Sequence, residues 1–267
     1  MSSKQDTISK TLLVAFLLCV VCSVIVASSV VLLKPIQQKN KALNLKENIL
    51  VAAGLLESGQ SAEVIEAEFA KITPKLVDIE TGEYVGVEAV NKTDIASYDQ
   101  KKASKDPALS IPLEREDDIA GLKRRARYAK VYVVENNGKV ERIIIPVKGY
   151  GLWSTLYGFL ALEGDANTIV GLGFYEHAET PGLGGEVDNP NWKAQWPGKN
   201  VYDLTKGSEP QIRLVKGGVD RSRPDAIYGV DALSGATLTS TGVTNLLRYW
   251  LGSDGFQKYL DRMRKEA

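Results

Sequence analysis

The sequence is poor in the residues that most reaction chemistries need. Its 267 residues hold one histidine and two cysteines. Both cysteines, Cys19 and Cys22, fall inside one apolar run near the N-terminus. The remainder of the chain therefore has no thiol for a disulfide framework, a cysteinyl iron–sulfur cluster or a Cys-type zinc site. Within the run, the C-x-x-C spacing is compatible with half a cluster or a thiol pair shared with another subunit; small apolar filling of a helix face is the simpler reading. The lone His177 excludes multi-histidine metal sites and leaves Ser-His-Asp chemistry little support. G-x-S-x-G, G-x-x-x-x-G-K-[ST] and H-E-x-x-H are all missing, and Gly171-Leu172-Gly173 lacks the third glycine of a dinucleotide fingerprint. An excess of charge is missing too: 33 basic and 33 acidic residues balance, so no overall field attracts nucleic acid. Asp117-Asp118 reads as a solvated loop pair. Neither catalytic residues nor metal ligands are expected.

What is present describes a folded, membrane-attached protein. The chain is 44% hydrophobic and 25% charged, with length for one or two domains. Thr11 to Leu33 runs 23 residues without an ionisable acid or base, between Lys10 and Lys34. At 1.5 Å per residue such a helix covers about 34 Å, enough for a bilayer core of about 30 Å. Ala27-Ser28-Ser29 imitates a signal-peptidase site, but Val30 to Leu33 carries the apolar run past it, so an uncleaved anchor is the better reading. With no charged side chain inside it, the span offers an ion no path. Lys4 and Lys10 precede the span; Lys34, Lys39, Lys41 and Lys46 follow it. Taken alone, that count puts the large domain in the cytoplasm, although long domains translocate largely regardless of charge.

Beyond the anchor, Leu43, Leu45, Ile49, Leu50, Ala53 and Leu56 continue a helical stripe. Ser61 opens a second short helix with Ile65, Phe69 and Ile72 on one face, ended by Pro74. Residues 91 to 125 read as a polar surface excursion. From Arg127 the period changes to that of strands: RYAKVYVVE and KVERIIIPV flank Asn136-Asn137-Gly138, a tight-hairpin signal. LYGFLALE and TIVGLGFYEH form a second pair around Gly164-Asp165-Ala166-Asn167. These make a meander of about four antiparallel strands with one face buried. A loop or helix around Trp192 and Trp196, strands near 212–215 and 226–230, and helices over about 239–251 and 254–265 complete the chain. The fold class is α+β: a single N-terminal transmembrane helix, then a sheet-centred, mostly antiparallel domain with flanking helices.

Two stretches concentrate glycine and hydroxyl residues beyond the needs of packing. In EHAETPGLGG, residues 176 to 185, Pro181 presets φ, Gly182 can take positive φ, and Gly184-Gly185 lets backbone approach something closely. DALSGATLTSTG, residues 231 to 242, sets five hydroxyls at the start of a helix whose apolar face is Val243, Leu246, Leu247 and Trp250. Unpaired amides and the positive end of the dipole favour a phosphate there. Ser and Thr are also ordinary N-caps. A membrane-anchored scaffold whose hydroxyls merely cap the helix is thus the competing reading.

Asp231-Ala232-Leu233-Ser234-Gly235-Ala236-Thr237 resembles the flavinylation motif Asp-x-x-[Ser/Thr]-[Ser/Gly]-Ala-Thr of FMN-bind domains, matching at every defined position. In that family a flavin transferase takes FMN from FAD and joins its phosphate to the last threonine as a phosphodiester. This maps onto Thr237. Glu179-Thr180-Pro181-Gly182-Leu183-Gly184 is similar to the family's segment against the isoalloxazine ring. The resemblance implies FMN bonded to Thr237, with Ser234, Gly235, Ala236, Thr239, Thr180, Gly182, Leu183 and Gly184 around it; Trp153 of KGYGLWSTLYG is a further ring contact. It divides the chain into a tail (1–10), an anchor (11–33), a helical and loop part (34–125) and the FMN-bind domain (126–267).

The layout as a whole is similar to the C-subunit family of bacterial sodium-translocating NADH:quinone oxidoreductases. The anchored flavin subunit of Rnf-type complexes has the same plan. The first resemblance implies an electron carrier in an inner-membrane complex with A, B, D, E and F-type subunits. Electrons would arrive from an iron–sulfur centre, pass to a covalent FMN on the B-type subunit, and reach ubiquinone by way of riboflavin. It also places the soluble domain on the periplasmic side, against the lysine count.

Overall fold

The computed structural model describes residues 7 to 266. Of the expected N-terminal tail, residues 1–6, including Lys4, lie outside the described residues. The chain divides into two compact units, residues 1–44 and 45–267. Within the first, α1 (Ile8–Ala52, which runs on into the second) carries an 18-residue window of mean hydropathy 2.9 with no part of it buried. It is long and apolar enough to cross a membrane. Cys19 and Cys22 are free and exposed on it.

The second unit is α+β. After α2 (Ala62–Phe69) come β1 (Thr73–Asp78) and β2 (Tyr84–Val85), then α3 (Gln100–Ala103), β3 (Ser110–Pro112) and β4 (Arg124–Ala126). The long strands are β5 (Tyr128–Asn136), β6 (Lys139–Tyr150), β7 (Thr155–Glu163) and β8 (Ile169–Glu176). α4 (Pro190–Lys193), β9 (Arg213–Val215), β10 (Gly229–Asp231), α5 (Thr237–Leu251) and α6 (Gln257–Glu266) follow. The main sheet has six strands in the order β2-β1-β5-β6-β7-β8, and each of its pairings is antiparallel. Between β5 and β6, Asn137 and Gly138 take φ of 51° and 79°, the positive pair that a tight hairpin demands.

Three parts of the fold differ from expectation. Pro74 does not end a helix; α2 stops at Phe69, and Pro74 lies inside β1, opposite Tyr132 of β5. Its missing N–H does no damage there, because β2 pairs only with Leu76 and Val77. Residues 91 to 125 are more than a surface excursion. Asp94, Asp99 and Asp106 each accept a backbone N–H two or three residues ahead, fixing short turns that bury Val90, Tyr98 and Ala103 against Leu76 and Ala126. Finally, β9 and β10 pair in parallel as a separate two-stranded sheet, lying just before the motif.

The core lies between the sheet and α5. Ile143, Ile145 and Val147 of β6 belong to one buried cluster with Val243, Leu246, Leu247 and Trp250 of α5. The contact is close: a Cβ placed on Gly149 would lie 2.7 Å from Leu246 Cβ. The indole N–H of Trp250 donates to the Lys148 carbonyl at 2.7 Å. α5 is therefore anchored along its C-terminal half, and its first turn is carried to the rim of the sheet.

Candidate functional site

The path into α5 is fixed by Asp231, the first residue of the motif. Its carboxylate accepts the Val219 N–H at 2.7 Å, its carbonyl accepts the Trp192 indole N–H at 2.9 Å, and its own N–H donates to Gln195 Oε1 at 3.1 Å. Further along the motif, Gly235 takes φ of 71°, a conformation costly for any residue with a side chain. A Cβ there would also meet Leu183 Cδ2 at 3.1 Å. The Ser240 hydroxyl accepts the Leu233 N–H at 3.0 Å and closes the loop.

α5 then starts without a side-chain cap. Ala236 holds the N-cap position, and no hydroxyl bonds the first-turn amides. The competing reading, in which these hydroxyls merely cap the helix, finds no capping hydrogen bond to rest on. Ser240 bonds backward to Leu233, Thr241 donates to the Thr237 carbonyl, and Thr239 is fully buried with its hydroxyl on Glu179. The Thr237 hydroxyl remains: it is exposed and bonded to no other described group. Ser234 and Gly235 are exposed beside it, while Ala236 is buried.

Next to this start stands the Thr180–Gly184 loop. The Thr180 carbonyl accepts the N–H groups of Leu183 and Gly185 at 3.1 and 2.9 Å, and Gly182 takes φ of 76°. Thr180, Pro181, Gly182 and Leu183 are exposed; Gly184 is buried and has no room for a Cβ, which would stand 2.5 Å from the Thr239 hydroxyl. Trp153 is 66% exposed, Leu238 60% and Leu183 44%. Three large apolar side chains are thus left open to solvent, Leu238 next to Thr237 in the chain and Leu183 against Gly235. Trp153 is no core residue.

Thr237 also lines a groove of about 580 Å³, together with Ser234, Thr241, Gly217, Gly218, Lys216 and Arg248 among others. Gly217 and Gly218 take φ of 81° and 92°, and the Val219 N–H that follows is the one held by Asp231. Lys216 comes to the groove from the segment after β9, and Arg248 from the last turn of α5.

Beneath the apolar wall lies Glu179, 5% exposed. Its carboxylate accepts the N–H groups of Leu152, Trp153 and Ser154 at 3.2, 3.0 and 3.2 Å and the Thr239 hydroxyl at 2.7 Å. Burial pushes its pKa up, but the Thr239 hydroxyl and these amides outweigh burial and hold it below the ordinary carboxylate value. The neighbouring His177 accepts the Glu179 N–H on Nδ1 at 3.2 Å, which leaves Nε2 to donate to Asp188 at 2.8 Å.

Of the residues that the sequence pointed to, contacts tie Leu183 to Gly235 and Gly184 to Thr239, and Glu179 links Thr239 to the backbone of Trp153. Thr237, Ser234, Gly235, Thr180, Gly182, Leu183 and Trp153 are exposed; Ala236, Gly184 and Thr239 are buried. Sequence reasoning missed Glu179 as a junction, the exposed Leu238, and the groove residues Lys216 to Gly218 and Arg248. The paired glycines that follow Lys216 after β9 were the one available signal for that groove.

The sheet strands β7 and β8, the helix α5 and the exposed threonine at its start all lie in one segment, and that segment places the chain among flavin-binding proteins. The family model of the FMN-binding domain matches residues 151–252. The chain is 51% identical over 264 residues to the C subunit of the Na(+)-translocating NADH-quinone reductase of Pseudomonas aeruginosa, covering 98% of each chain. It is 46% identical to the corresponding subunit of Vibrio parahaemolyticus, over 99% of this chain and 98% of that one. The crystal structure of Shewanella oneidensis NqrC superposes with a TM-score of 0.75 at 37% identity, covering 85% of this chain and 99% of the other. The chain belongs to the family of C subunits of the Na(+)-translocating NADH-quinone reductases.

Proposed function

We propose that this chain is the membrane-anchored electron-transfer flavoprotein subunit of a sodium-translocating NADH:quinone reductase, with FMN held as a phosphodiester on Thr237. The observation that carries the reading is the Thr237 hydroxyl, exposed and unbonded among the described residues at the uncapped start of a 15-residue helix. The residues present fit FMN. The groove volume of about 580 Å³ falls within the roughly 300–1,000 Å³ of small-molecule sites. The uncapped amides of α5 supply the positive potential that a phosphodiester needs, and Lys216 lines the same groove as Thr237. Trp153, Leu183 and Leu238 offer apolar surface to a flat ring, and Gly182 leaves open space where a side chain would intrude. When bound, the flavin supplies reversible electron transfer; the chain binds it, orients it and sets its electrostatic surroundings.

Attachment depends on outside help. A threonine hydroxyl is too weak an acid to react unaided. Neither nearby carboxylate is free to act as its base: Asp231 holds the Val219 amide, and Glu179 holds four donors of its own. A separate flavin transferase is thus part of the proposal. So are the further steps: electrons come from an iron–sulfur centre in neighbouring subunits and leave for the FMN of the B-type subunit and finally ubiquinone. The soluble unit stands on the periplasmic side, α1 being its anchor in the inner membrane.

A denaturing gel under ultraviolet light tests the central point. Protein made in a host with the transferase should give a fluorescent band, and Thr237→Ala should lose all of that fluorescence while its melting temperature stays within a degree or two, as expected for an exposed site. A dark wild-type band returns the scaffold reading. A bright Thr237→Ala band moves the attachment elsewhere.

A further inference from the structure

Glu179 is a buried carboxylate with no cation in reach among the described residues. Removing such a charge from water costs several kcal/mol unless hydrogen bonds replace the lost solvation. Here they do so from separate parts of the chain. Oε1 accepts three successive backbone amides, Leu152, Trp153 and Ser154, and Oε2 accepts the hydroxyl of Thr239 in the first turn of α5. Two glycines make the space for it. A Cβ on Gly151 would stand 2.6 Å from Oε1, and one on Gly184 would stand 2.7 Å from Oε2. A second stitch runs beside the first, as the Ala178 N–H donates to the Ser154 hydroxyl at 2.7 Å.

An ionised carboxylate only accepts, so every one of its donors is drawn toward the same point and none can exchange roles. What they belong to is the apolar wall. Leu152 to Ser154 carries Trp153, Glu179 leads into Thr180 to Gly184 with Leu183, and Thr239 lies two residues beyond Thr237. We propose that Glu179 is the positioning residue of this site: as an anion it locks the Trp153 turn, the Leu183 loop and the first turn of α5 into one arrangement before any flavin is attached, and its fixed charge makes the attached flavin harder to reduce. The first part concerns the chain alone; the second rests on the function proposed above.

Hydrogen exchange and a redox titration test the two parts separately. In full-length protein made without the transferase and purified in detergent, Glu179→Gln should speed exchange in the peptide containing Leu152 to Ser154 by about tenfold or more, the factor expected for loss of a charge-assisted hydrogen bond. Exchange in the β6–β7 ladder should stay unchanged. Should the Gln variant fail to fold, Thr239→Val takes its place; it removes one donor at constant shape and should accelerate the same amides by a smaller factor. In flavinylated protein, Glu179→Gln should move the midpoint potential to more positive values, since a nearby negative charge opposes electron uptake. Unchanged exchange at Leu152 to Ser154 in the folded variant, or an unchanged potential, overturns the proposal. A colourless wild type with protected amides would sink the flavin reading and leave the positional lock standing.

Discussion

The two ends of α5 are built on opposite terms. At its C-terminal end Tyr249, Trp250 and Leu251 are buried, the Trp250 indole bonds the Lys148 carbonyl at 2.7 Å, and the Leu251 carbonyl accepts the Tyr202 hydroxyl at 2.7 Å. Rings close in on both sides, Tyr249 and Phe256 each 5.4 Å from Trp250 between centroids. At the N-terminal end Thr237 and Leu238 are exposed and no side chain caps the helix. A helix start left this way is unfavourable on its own, because orphan amides are ordinarily satisfied by a cap. The comparison shows how the open end is tolerated. Packing at one end fixes the helix so firmly that the other can keep its donors and its hydroxyl for something else.

Breaking the closed end should have the largest effect. Trp250→Ala removes a fully buried indole and its hydrogen bond and should cost about 3–5 kcal/mol. For a unit of this size that corresponds to a fall in melting temperature on the order of 10 °C, read by circular dichroism. A fall of only a degree or two would mean that the two ends do not differ in the way described.

The open end should respond more weakly and in a different observable. Gly235→Ala forces a side chain into φ of 71° and puts a methyl group 3.1 Å from Leu183 Cδ2. The left-handed conformation alone costs about 1–2 kcal/mol. The melting point should fall by a few degrees, and in-gel flavin fluorescence per unit of protein should drop as well. Loss of stability with full flavin loading would show that the Leu183 contact does not shape the site.

Local signals carried much of this molecule in the sequence. Asn137-Gly138 announced its hairpin because both residues tolerate positive φ, and the hydroxyl run announced the start of α5 because it adjoins an apolar stripe of helical period. The motif residues were legible for the same reason. What could not be read depends on residues far apart in the chain. Glu179 meets Leu152 to Ser154 across about 25 positions and Thr239 across 60, and a carboxylate followed by Thr-Pro-Gly looks like any loop acid. Pro74 looked like a helix stop because nothing nearby says that its side of β1 is left unpaired beyond Leu76 and Val77. The turns between 91 and 125 were hidden by their polarity, since each is held by an Asp side chain and not by an apolar period.

Acid should sharpen the comparison with the smallest effect, because it acts on one group at the open end. Burial pulls the Glu179 pKa upward, and the Thr239 hydroxyl with the amides of Trp153, Ser154 and Leu152 more than offsets that pull, so the group sits below its ordinary value. An unfolded glutamate titrates at about 4.3. A folded pKa below that value means that the unfolded chain binds the proton more readily, so the stabilisation from Glu179 is complete above the unfolded pKa and disappears as the pH falls through the folded one. The closed end has no such group: its bonds run from an indole and a phenol to backbone carbonyls. Melting wild type and Glu179→Gln side by side from pH 7 downward isolates the difference, since other acids titrate equally in both. The gap between the two curves should be constant at neutral pH and narrow below about pH 4.3, as the wild-type carboxyl becomes neutral like its replacement. Trp250→Ala, by contrast, should stay below wild type by the same margin throughout. A gap for Glu179→Gln that held its full width at about pH 3, well under the unfolded value, would mean that the charge at this junction contributes nothing to holding the open end in place.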